Sequence, residues 1–256
     1  MLEARGLVKH FGGIRAVDDV SFTVRPSEVL GYLGPNGSGK TTTVNMLVGL
    51  IQPTRGQVLV GGGDIWDGIV EFRRRVGYVP EEPNLYPYLT GREYLELVGR
   101  LRSLPSPLLE RKITALLSLF SLEPDSHAPL SSYSKGMRQK VLISAALLHN
   151  PDLLVFDEPM SGLDAASAVV FRHLIKALAR AGKMVLYSSH ELETVERVAD
   201  RVVVLHQGRM VAHDSVERLR ELMQLASLEE IFSELVFTED PQAVAGRIVD
   251  VVVSRG

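Results

Sequence analysis

Residues 34–41, GPNGSGKT, combine three glycines, a lysine and a threonine at a spacing suited to binding phosphate. The segment fits the pattern G-x-x-x-x-G-K-[ST] and lies between the apolar residues 29–33 and a stretch that predicts a helix. Glycines let successive backbone N–H groups point at phosphate oxygens, and the helix N-terminus adds partial positive charge. We expect Lys40 to hold the β- and γ-phosphates of a nucleotide and the Thr41 hydroxyl to ligate Mg²⁺. The predicted nucleotide-binding residues here are Gly34, Pro35, Asn36, Gly37, Ser38, Gly39, Lys40, Thr41 and Thr42.

Two adjacent acids, Asp157 and Glu158, directly follow the apolar residues 153–156. A buried strand would deliver both to the sheet edge where a phosphate loop lies. Neighbouring side chains on an extended chain point in opposite directions. We therefore predict that Asp157 addresses Mg²⁺ through water, while Glu158 faces the γ-phosphate and polarises the attacking water. Taken alone, the pair is as compatible with two solvated acids in a loop.

His190 follows another apolar run, residues 184–187, and precedes a helical pattern. Its imidazole could bond a γ-phosphate oxygen at the same sheet edge. A single histidine is usually structural, so its position after a strand is what favours a role. Lys40, Glu158 and His190 are the predicted catalytic residues.

The apolar runs that precede these residues are continuous rather than alternating. Strands covered on both faces have this pattern, so the sequence predicts an α/β fold with a parallel sheet between helices. Shorter alternating strands in residues 1–24 and 57–60, and a hairpin in residues 201–212 turning at Gln207-Gly208, are assigned to an antiparallel annex. Residues 85–150 are mainly helical, with a capping box at Thr90 and Glu93, and predict an inserted helical subdomain.

The predicted domain spans residues 1–220, with a C-terminal extension at residues 221–256. A second capping box, Ser227 and Glu230, precedes an apolar stripe at helical spacing, which we expect to pack against the domain rather than bind a partner. Asp240-Pro241 could cap a further short helix, although residues 248–253 fit a strand equally well. The stripe consists of Leu228, Ile231, Phe232, Leu235 and Val236.

Composition limits the possible partners. A net charge of -3, with no run of five basic residues, gives no footprint for a nucleic-acid backbone, and no nucleic-acid partner is expected. The absence of cysteine excludes disulfides, a thiol nucleophile and cysteine-based metal sites. No stretch approaches the roughly 18 apolar residues needed to span a bilayer. We therefore expect any membrane role to depend on a partner.

Residues 130–140, LSSYSKGMRQK, resemble the signature sequence of ABC ATPases. The segment opens an apolar-periodic helix, and alone it could be an ordinary capped helix start. The chain also has the family's order of motifs over most of its length: phosphate loop, residues 76–81, signature, Asp157-Glu158, residues 161–164 and His190. The resemblance implies a P-loop NTPase with a RecA-like parallel sheet core and ATP with Mg²⁺ as cofactors.

In that family the signature of one subunit closes over ATP held by the phosphate loop of another, in a head-to-tail dimer. The resemblance therefore implies a homodimer, or a paired ATPase subunit, with ATP at the interface. Ser134 and Gly136 would act on the partner's nucleotide, and Asp164 would report across the interface. Phe11 matches the position where the family stacks an aromatic ring on adenine, although a core phenylalanine fits its local sequence nearly as well. Stacking does not discriminate bases, so a preference for ATP is implied by the family alone.

Glu81 departs from the family pattern, which commonly has glutamine in the loop between core and helical subdomain. A carboxylate still ligates Mg²⁺, but it offers no amide donor and adds negative charge beside the phosphates. We hypothesise that Glu81 binds metal or water and carries the nucleotide state to the helical subdomain. The alternative is an exposed acidic turn.

Residues 80–83 (PEEP), the YSKGM form of the signature and residues 227–232 (SLEEIF) resemble the exporter branch that includes drug, sodium and polysaccharide efflux systems. This implies a cytoplasmic ATPase bound to the inner face of the membrane through an integral membrane permease on a separate chain. Two alternatives stay open. One is a soluble ABC ATPase acting on DNA or ribosomes, whose long coiled coils or fused second unit do not occur here. The other is a nucleotide-gated regulatory module with little hydrolysis.

Overall fold

The computed structural model describes residues 1–236 and 241–253 of the chain. The strands in this part are β1 (Leu2–Phe11), β2 (Ile14–Val24), β3 (Glu28–Leu33), β4 (Arg55–Val60), β5 (Gly63–Asp64), β6 (Val76–Val79), β7 (Leu153–Asp157), β8 (Met184–Ser188), β9 (Arg201–His206) and β10 (Arg209–Ser215). The α-helices are α1 (Lys40–Leu47), α2 (Ile69–Arg74), α3 (Gly91–Leu101), α4 (Ser106–Leu119), α5 (Lys135–Leu147), α6 (Ala165–Arg180), α7 (Leu192–Val198), α8 (Val216–Met223), α9 (Leu228–Val236) and α10 (Pro241–Val253).

A six-stranded sheet in the order β10-β9-β3-β8-β7-β6 forms the centre of the fold. Neighbouring strands from β9 to β6 pair in parallel, and every residue of β3, β7 and β8 is buried. This confirms the prediction drawn from continuous apolar runs. Tyr32, Ser188 and Asp157 lie in register across the three central strands, so the chain leaves all three at the same sheet edge.

The hairpin of β9 and β10 was expected in the antiparallel annex, and that assignment is wrong. β9 pairs in parallel with β3 and extends the central sheet, with β10 antiparallel at its edge. The physical reason lies in residues 202–205, four successive apolar residues with no exposed surface, which require cover on both faces. The predicted turn is confirmed: Gln207 and Gly208 both have positive φ, at 48° and 79°, as a two-residue hairpin requires.

The annex itself is a four-stranded antiparallel sheet in the order β2-β1-β4-β5. Phe22 of the annex packs against Tyr32 of β3, with ring centroids 5.2 Å apart. Asp18 of β2 accepts from Arg209 of β10 at 2.7 Å, and its backbone N–H donates to the Gly208 carbonyl at 2.8 Å. These contacts fix the annex beside the phosphate loop.

Helices α3, α4 and α5 share a buried apolar cluster of their own. The capping box before α3 is confirmed, because Thr90 Oγ1 accepts from the Glu93 N–H at 3.1 Å and Glu93 Oε2 accepts from the Thr90 N–H at 2.8 Å. His149 Nε2 lies 3.0 Å from the Val76 carbonyl oxygen, which links the end of this helical part to β6. The cluster includes Leu95, Leu109, Ile113, Leu117, Leu122, Leu130, Tyr133, Val141, Ala145 and Leu148.

At the C-terminal end, the apolar stripe of α9 packs against the core with α7 and α8, as predicted. Ser227 accepts from the Glu230 N–H at 3.2 Å, but the Glu230 carboxylate reaches the N–H of Ala226, one residue earlier than a capping box requires. Residues 248–253 belong to α10, so the strand alternative is wrong, and none of the described strands pairs with them. Asp240, proposed as a cap, lies outside the described residues. Within residues 1–236 and 241–253, no helix has the length and apolar character that crossing a bilayer demands.

Candidate active site

The phosphate loop lies between β3 and α1, in close contact with the annex and the β9–β10 hairpin. A Cβ on Gly39, whose φ is 99°, would come within 2.4 Å of the Ala16 carbonyl oxygen. A Cβ on Gly34 would come within 2.6 Å of the Leu205 carbonyl oxygen. Both positions therefore require glycine, because backbone from two other elements packs directly against the loop.

Lys40 is buried at the centre of this loop. Its Nζ donates to the carbonyl oxygens of Gly34, at 2.7 Å, and Pro35, at 3.2 Å. Burial lowers the pKa of Lys40, and the charges of Glu158, Asp157 and Glu81 oppose that shift. The ammonium thus lies inside its own loop, where phosphate oxygens could replace the two carbonyl oxygens.

A cavity of about 330 Å³ opens beside the loop. This volume is within the range of small-molecule sites. The structure therefore brings together most of the residues predicted to handle phosphate and metal. The lining residues are Ala16, Asn36, Gly37, Gly39, Lys40, Thr41, Thr42, Glu81, Asp157 and Glu158.

Asp157 is the last residue of β7 and is only 1% exposed. Its Oδ2 has no hydrogen-bond partner among the described residues, and burial raises the pKa of its carboxyl. A buried carboxylate oxygen without a partner is costly unless a cation compensates it. Thr41 and Glu81 line the same cavity, so the site offers the hydroxyl and carboxylate oxygens that Mg²⁺ prefers. The residues present fit a magnesium ion.

Glu158 does not continue the strand, so the expectation that alternation would point it away from Asp157 is wrong. Its φ is 47°, in the left-handed region, and both acids line the same cavity. The cause is a tight turn. The Glu158 N–H still donates to the Ser188 carbonyl at 3.0 Å, while its own carbonyl accepts from the Ser161 N–H at 3.2 Å.

Both oxygens of the Glu158 carboxylate have partners from the residues after β8. His190 Nδ1 lies 2.8 Å from Oε1, and the Ser189 hydroxyl donates to Oε2 at 3.2 Å. The His190 side chain is 67% exposed, so it contacts the acid from the open side of the site. Sequence reasoning did not assign Ser189 a role, although its place between Ser188 and His190 at the end of a strand was a usable signal.

Glu81 lies in the segment after β6 and borders two openings. One is the cavity beside the phosphate loop, and the other is a groove of about 510 Å³ that Lys135 and Arg138 of α5 also line. Glu81 therefore lines both the cavity beside the phosphate loop and the groove bordered by α5.

Phe11 lies at the end of β1 with 50% of its surface exposed. The Lys9 ammonium lies 5.2 Å from its ring centroid, an exposed cation–π contact. The ring does not line the cavity beside the phosphate loop, whereas Ala16 of the adjoining strand does. Phe11 has an accessible ring, as stacking on a base would require.

Ser134 caps the N-terminus of α5, where its hydroxyl accepts from the Met137 N–H at 3.2 Å. A Cβ on Gly136 would come within 2.4 Å of the Gly162 carbonyl oxygen, so the start of α5 touches the loop after Glu158. Asp164 caps α6, and its bonds from the Ser167 N–H and hydroxyl lower its pKa to about 2. Neither Ser134 nor Gly136 lines the phosphate-loop cavity of its own chain.

Comparison with known proteins identifies the family. Residues 17–161, from β2 to the loop after Glu158, match the family described as ABC transporter. The ABC transporter ATP-binding protein NatA of Bacillus subtilis is 39% identical over 225 residues, covering 87% of this chain and 92% of that protein. The chain belongs to the ATP-binding subunits of ABC transporters. This ABC subunit therefore binds nucleotide and belongs to a family of ATPases.

Further similar proteins and solved structures are also ABC ATP-binding proteins. The Nod factor export ATP-binding protein I of Ralstonia nicotianae is 36% identical over 219 residues, covering 86% of this chain and 68% of that protein. A solved ATP-binding subunit of an ABC transporter superposes with a TM-score of 0.87 at 36% identity, covering 92% of this ABC subunit and 99% of that chain. A dimeric post-hydrolysis cassette bound to ADP and Pi superposes with a TM-score of 0.77 at 25% identity, covering 84% and 98%.

Proposed function

We propose that this ABC subunit hydrolyses ATP with Mg²⁺ between two copies of the chain, and that the resulting motion drives export through an integral membrane permease on a separate chain. The observation that carries the proposal is the meeting of Lys40, Asp157 and Glu158 around one cavity beside the phosphate loop. Phosphoryl transfer to water needs a cation that binds phosphate, an acid that holds the metal ion and an acid that positions the attacking water. Lys40, Asp157 and Glu158 are suited to these three tasks.

Phosphate binding falls to residues 34–42. Backbone N–H groups of the loop surround the β- and γ-phosphates, and the N-terminus of α1 adds its partial charge. Lys40 exchanges its two carbonyl partners for phosphate oxygens, which keeps a buried ammonium paired at every stage. The ring of Phe11 stacks on the adenine.

Magnesium would be held by the Thr41 hydroxyl, by Asp157 and by Glu81, directly or through water. The unpartnered Oδ2 of Asp157 supports this assignment. The ion would neutralise charge on the transferred phosphoryl group. Asp157 and Glu81 both line the cavity and would supply the negative charge that a cation needs there.

Glu158 acts as the general base. Ser189 and His190 bond its two carboxylate oxygens and so restrict its rotation, which positions it to take a proton from the attacking water. His190 is exposed enough to bond a γ-phosphate oxygen as well once nucleotide is present.

A second copy completes the site. Ser134 and Gly136 lie outside the cavity of their own chain, and Ser134, exposed at the N-terminus of α5, would meet a phosphate held by a partner. The related cassette bound to ADP and Pi is dimeric, which supports this arrangement.

A permease partner and an export direction are supported by the relatives. One is named for Nod factor export and another for linearmycin resistance. Transport requires membrane-spanning segments, which we assign to the separate permease. We place the subunit at the cytoplasmic face, bound to its permease.

Replacing Glu158 with glutamine tests the proposal. Glu158→Gln keeps the shape of the side chain but removes the base, so we expect ATP binding to persist and turnover to fall by about 100-fold to 10,000-fold. ATP-loaded dimer should then accumulate, as measured by light scattering. Glu193→Gln, on the exposed face of α7, is the matched control and should behave as wild type. Wild-type turnover in Glu158→Gln would refute the role of the base, and monomer at saturating ATP would refute the dimer.

A further inference from the structure

Gln139 connects the helix that begins at Ser134 to the backbone next to Glu158. It lies in the second turn of α5, is fully buried, and donates from Nε2 to the Pro159 carbonyl oxygen at 3.0 Å. Gln139 Oε1 has no hydrogen-bond partner among the described residues. Exchanging the amide nitrogen and oxygen would set two oxygens against each other, so the side chain can serve Pro159 only as a donor.

Glu158 needs such support because its backbone is in a region that non-glycine residues seldom occupy. A left-handed non-glycine residue is strained, and it persists where the surroundings hold it in place. Ser188 holds the turn on the sheet side, by accepting from the Glu158 N–H. Pro159 has no N–H, so its carbonyl is the group through which α5 can hold the other side.

Two further contacts join the start of α5 to the same loop. Lys135 Nζ donates to the Ser161 hydroxyl at 2.6 Å. Gly136 packs so closely that a Cβ there would meet the Gly162 carbonyl oxygen at 2.4 Å. Together with the Gln139–Pro159 hydrogen bond, these contacts join three residues in the first two turns of α5 to three residues of the loop. We therefore expect the helix and the loop to move together.

We propose that Gln139 is a positioning residue for Glu158 and transmits movement of the Ser134 end of α5 to the acid of its own chain. The inference rests on the proposed function, in which Glu158 activates water and Ser134 closes on the partner's ATP. It adds that the closing contact at one nucleotide adjusts the base at the other, and that the buried Gln139–Pro159 hydrogen bond is the helix–loop contact nearest in sequence to Glu158.

Removing the donor tests the first part. Gln139→Leu and Gln139→Met keep a side chain of similar volume without the N–H, so we expect turnover to fall by about tenfold to 100-fold while the dissociation constant for ATP stays unchanged. Ser144→Ala is the matched control, since Ser144 is also fully buried on α5 but its hydroxyl donates to the Lys140 carbonyl of the same helix, at 2.8 Å. Loss of the cooperative unfolding transition in both Gln139 variants would assign the residue a structural role and overturn the inference.

A double-mutant cycle separates positioning from a general effect. If Gln139 acts through Glu158, adding Gln139→Leu to Glu158→Gln should cause no further loss in single-turnover hydrolysis measured with protein in excess. Multiplying losses would overturn the inference and leave the role of Glu158 intact. Wild-type turnover in Glu158→Gln alone would instead refute the proposed function.

Discussion

His190 Nδ1 lies 2.8 Å from Glu158 Oε1, so the residues that follow two adjacent parallel strands meet at one carboxylate. The contact depends on the register of β7 and β8, in which Asp157 is opposite Ser188. The sheet thereby fixes the distance between two groups that are 32 residues apart in the sequence.

Replacing His190 with alanine should affect chemistry more than binding. The variant loses one of the two partners that orient Glu158, so we expect turnover to fall by about 100-fold. The dissociation constant for ATP should stay within about threefold of wild type, because the phosphate loop supplies most of the affinity. Equal losses in turnover and affinity would show that His190 mainly binds nucleotide.

Removing the Asp157 charge should stabilise the nucleotide-free protein. Burial raises the pKa of this carboxyl above the ordinary 3.8, so the unfolded chain loses the proton first as the pH rises. Stability therefore falls as the pH rises from 3.8 through the folded pKa, and the penalty persists at higher pH. Asp157→Asn should unfold at a higher temperature at pH 7, by about 2–4 °C for each kcal/mol recovered, and the difference should shrink towards acid pH.

The same variant should lose Mg²⁺-dependent turnover, which would indicate that the acid is retained for function at a cost in stability. Asp152→Asn is the control, since Asp152 forms an exposed ion pair with Arg75 and should change stability by less than about 1 kcal/mol. A lower unfolding temperature for Asp157→Asn at pH 7 would contradict the account of its burial.

A methyl group on Gly136 should separate α5 from the loop after Glu158. The added Cβ would lie 2.4 Å from the Gly162 carbonyl oxygen, so we expect the free energy of unfolding to fall by about 1–3 kcal/mol. Turnover should also fall, because the loop that carries Glu158 is displaced, while the monomer should still bind ATP. Gly68→Ala is the control, because a Cβ there meets no atom within 4 Å. Wild-type turnover in Gly136→Ala would show that the close packing of helix and loop has no role in catalysis.

Removing the Glu81 carboxylate should raise the Mg²⁺ concentration that turnover requires. If its carboxylate holds the metal or its water, Glu81→Ala needs a higher Mg²⁺ concentration for half-maximal turnover, by about tenfold. Glu82→Ala, the neighbouring acid outside the phosphate-loop cavity, should titrate as wild type. An unchanged Mg²⁺ titration in Glu81→Ala would contradict a metal-binding role and would indicate that Glu81 only forms part of an exposed acidic turn.

The features predictable from the sequence are those encoded locally. The phosphate loop, the capping box at Thr90 and the buried strands before Asp157 and His190 each depend on a short run of residues. The turn at Gln207-Gly208 predicts the β9–β10 hairpin, but the sheet it joins depends on the buried residues 202–205, which place β9 beside β3.

Contacts between residues that are distant in the chain could not be predicted from the sequence. Gln139 and Pro159 are 20 residues apart and meet because α5 packs against the loop that follows β7. The left-handed conformation of Glu158 likewise depends on Ser188 of the neighbouring strand.

A crystal structure of Glu158→Gln with ATP and Mg²⁺ would show whether two copies of the chain enclose the nucleotide. We expect two copies related head to tail, with the Ser134 hydroxyl of one copy at hydrogen-bond distance, about 2.5–3.2 Å, from a γ-phosphate oxygen held by Lys40 of the other. A structure with Lys40 on the γ-phosphate and Ser134 far from any phosphoryl group, in its own chain or a neighbouring copy, would contradict this arrangement.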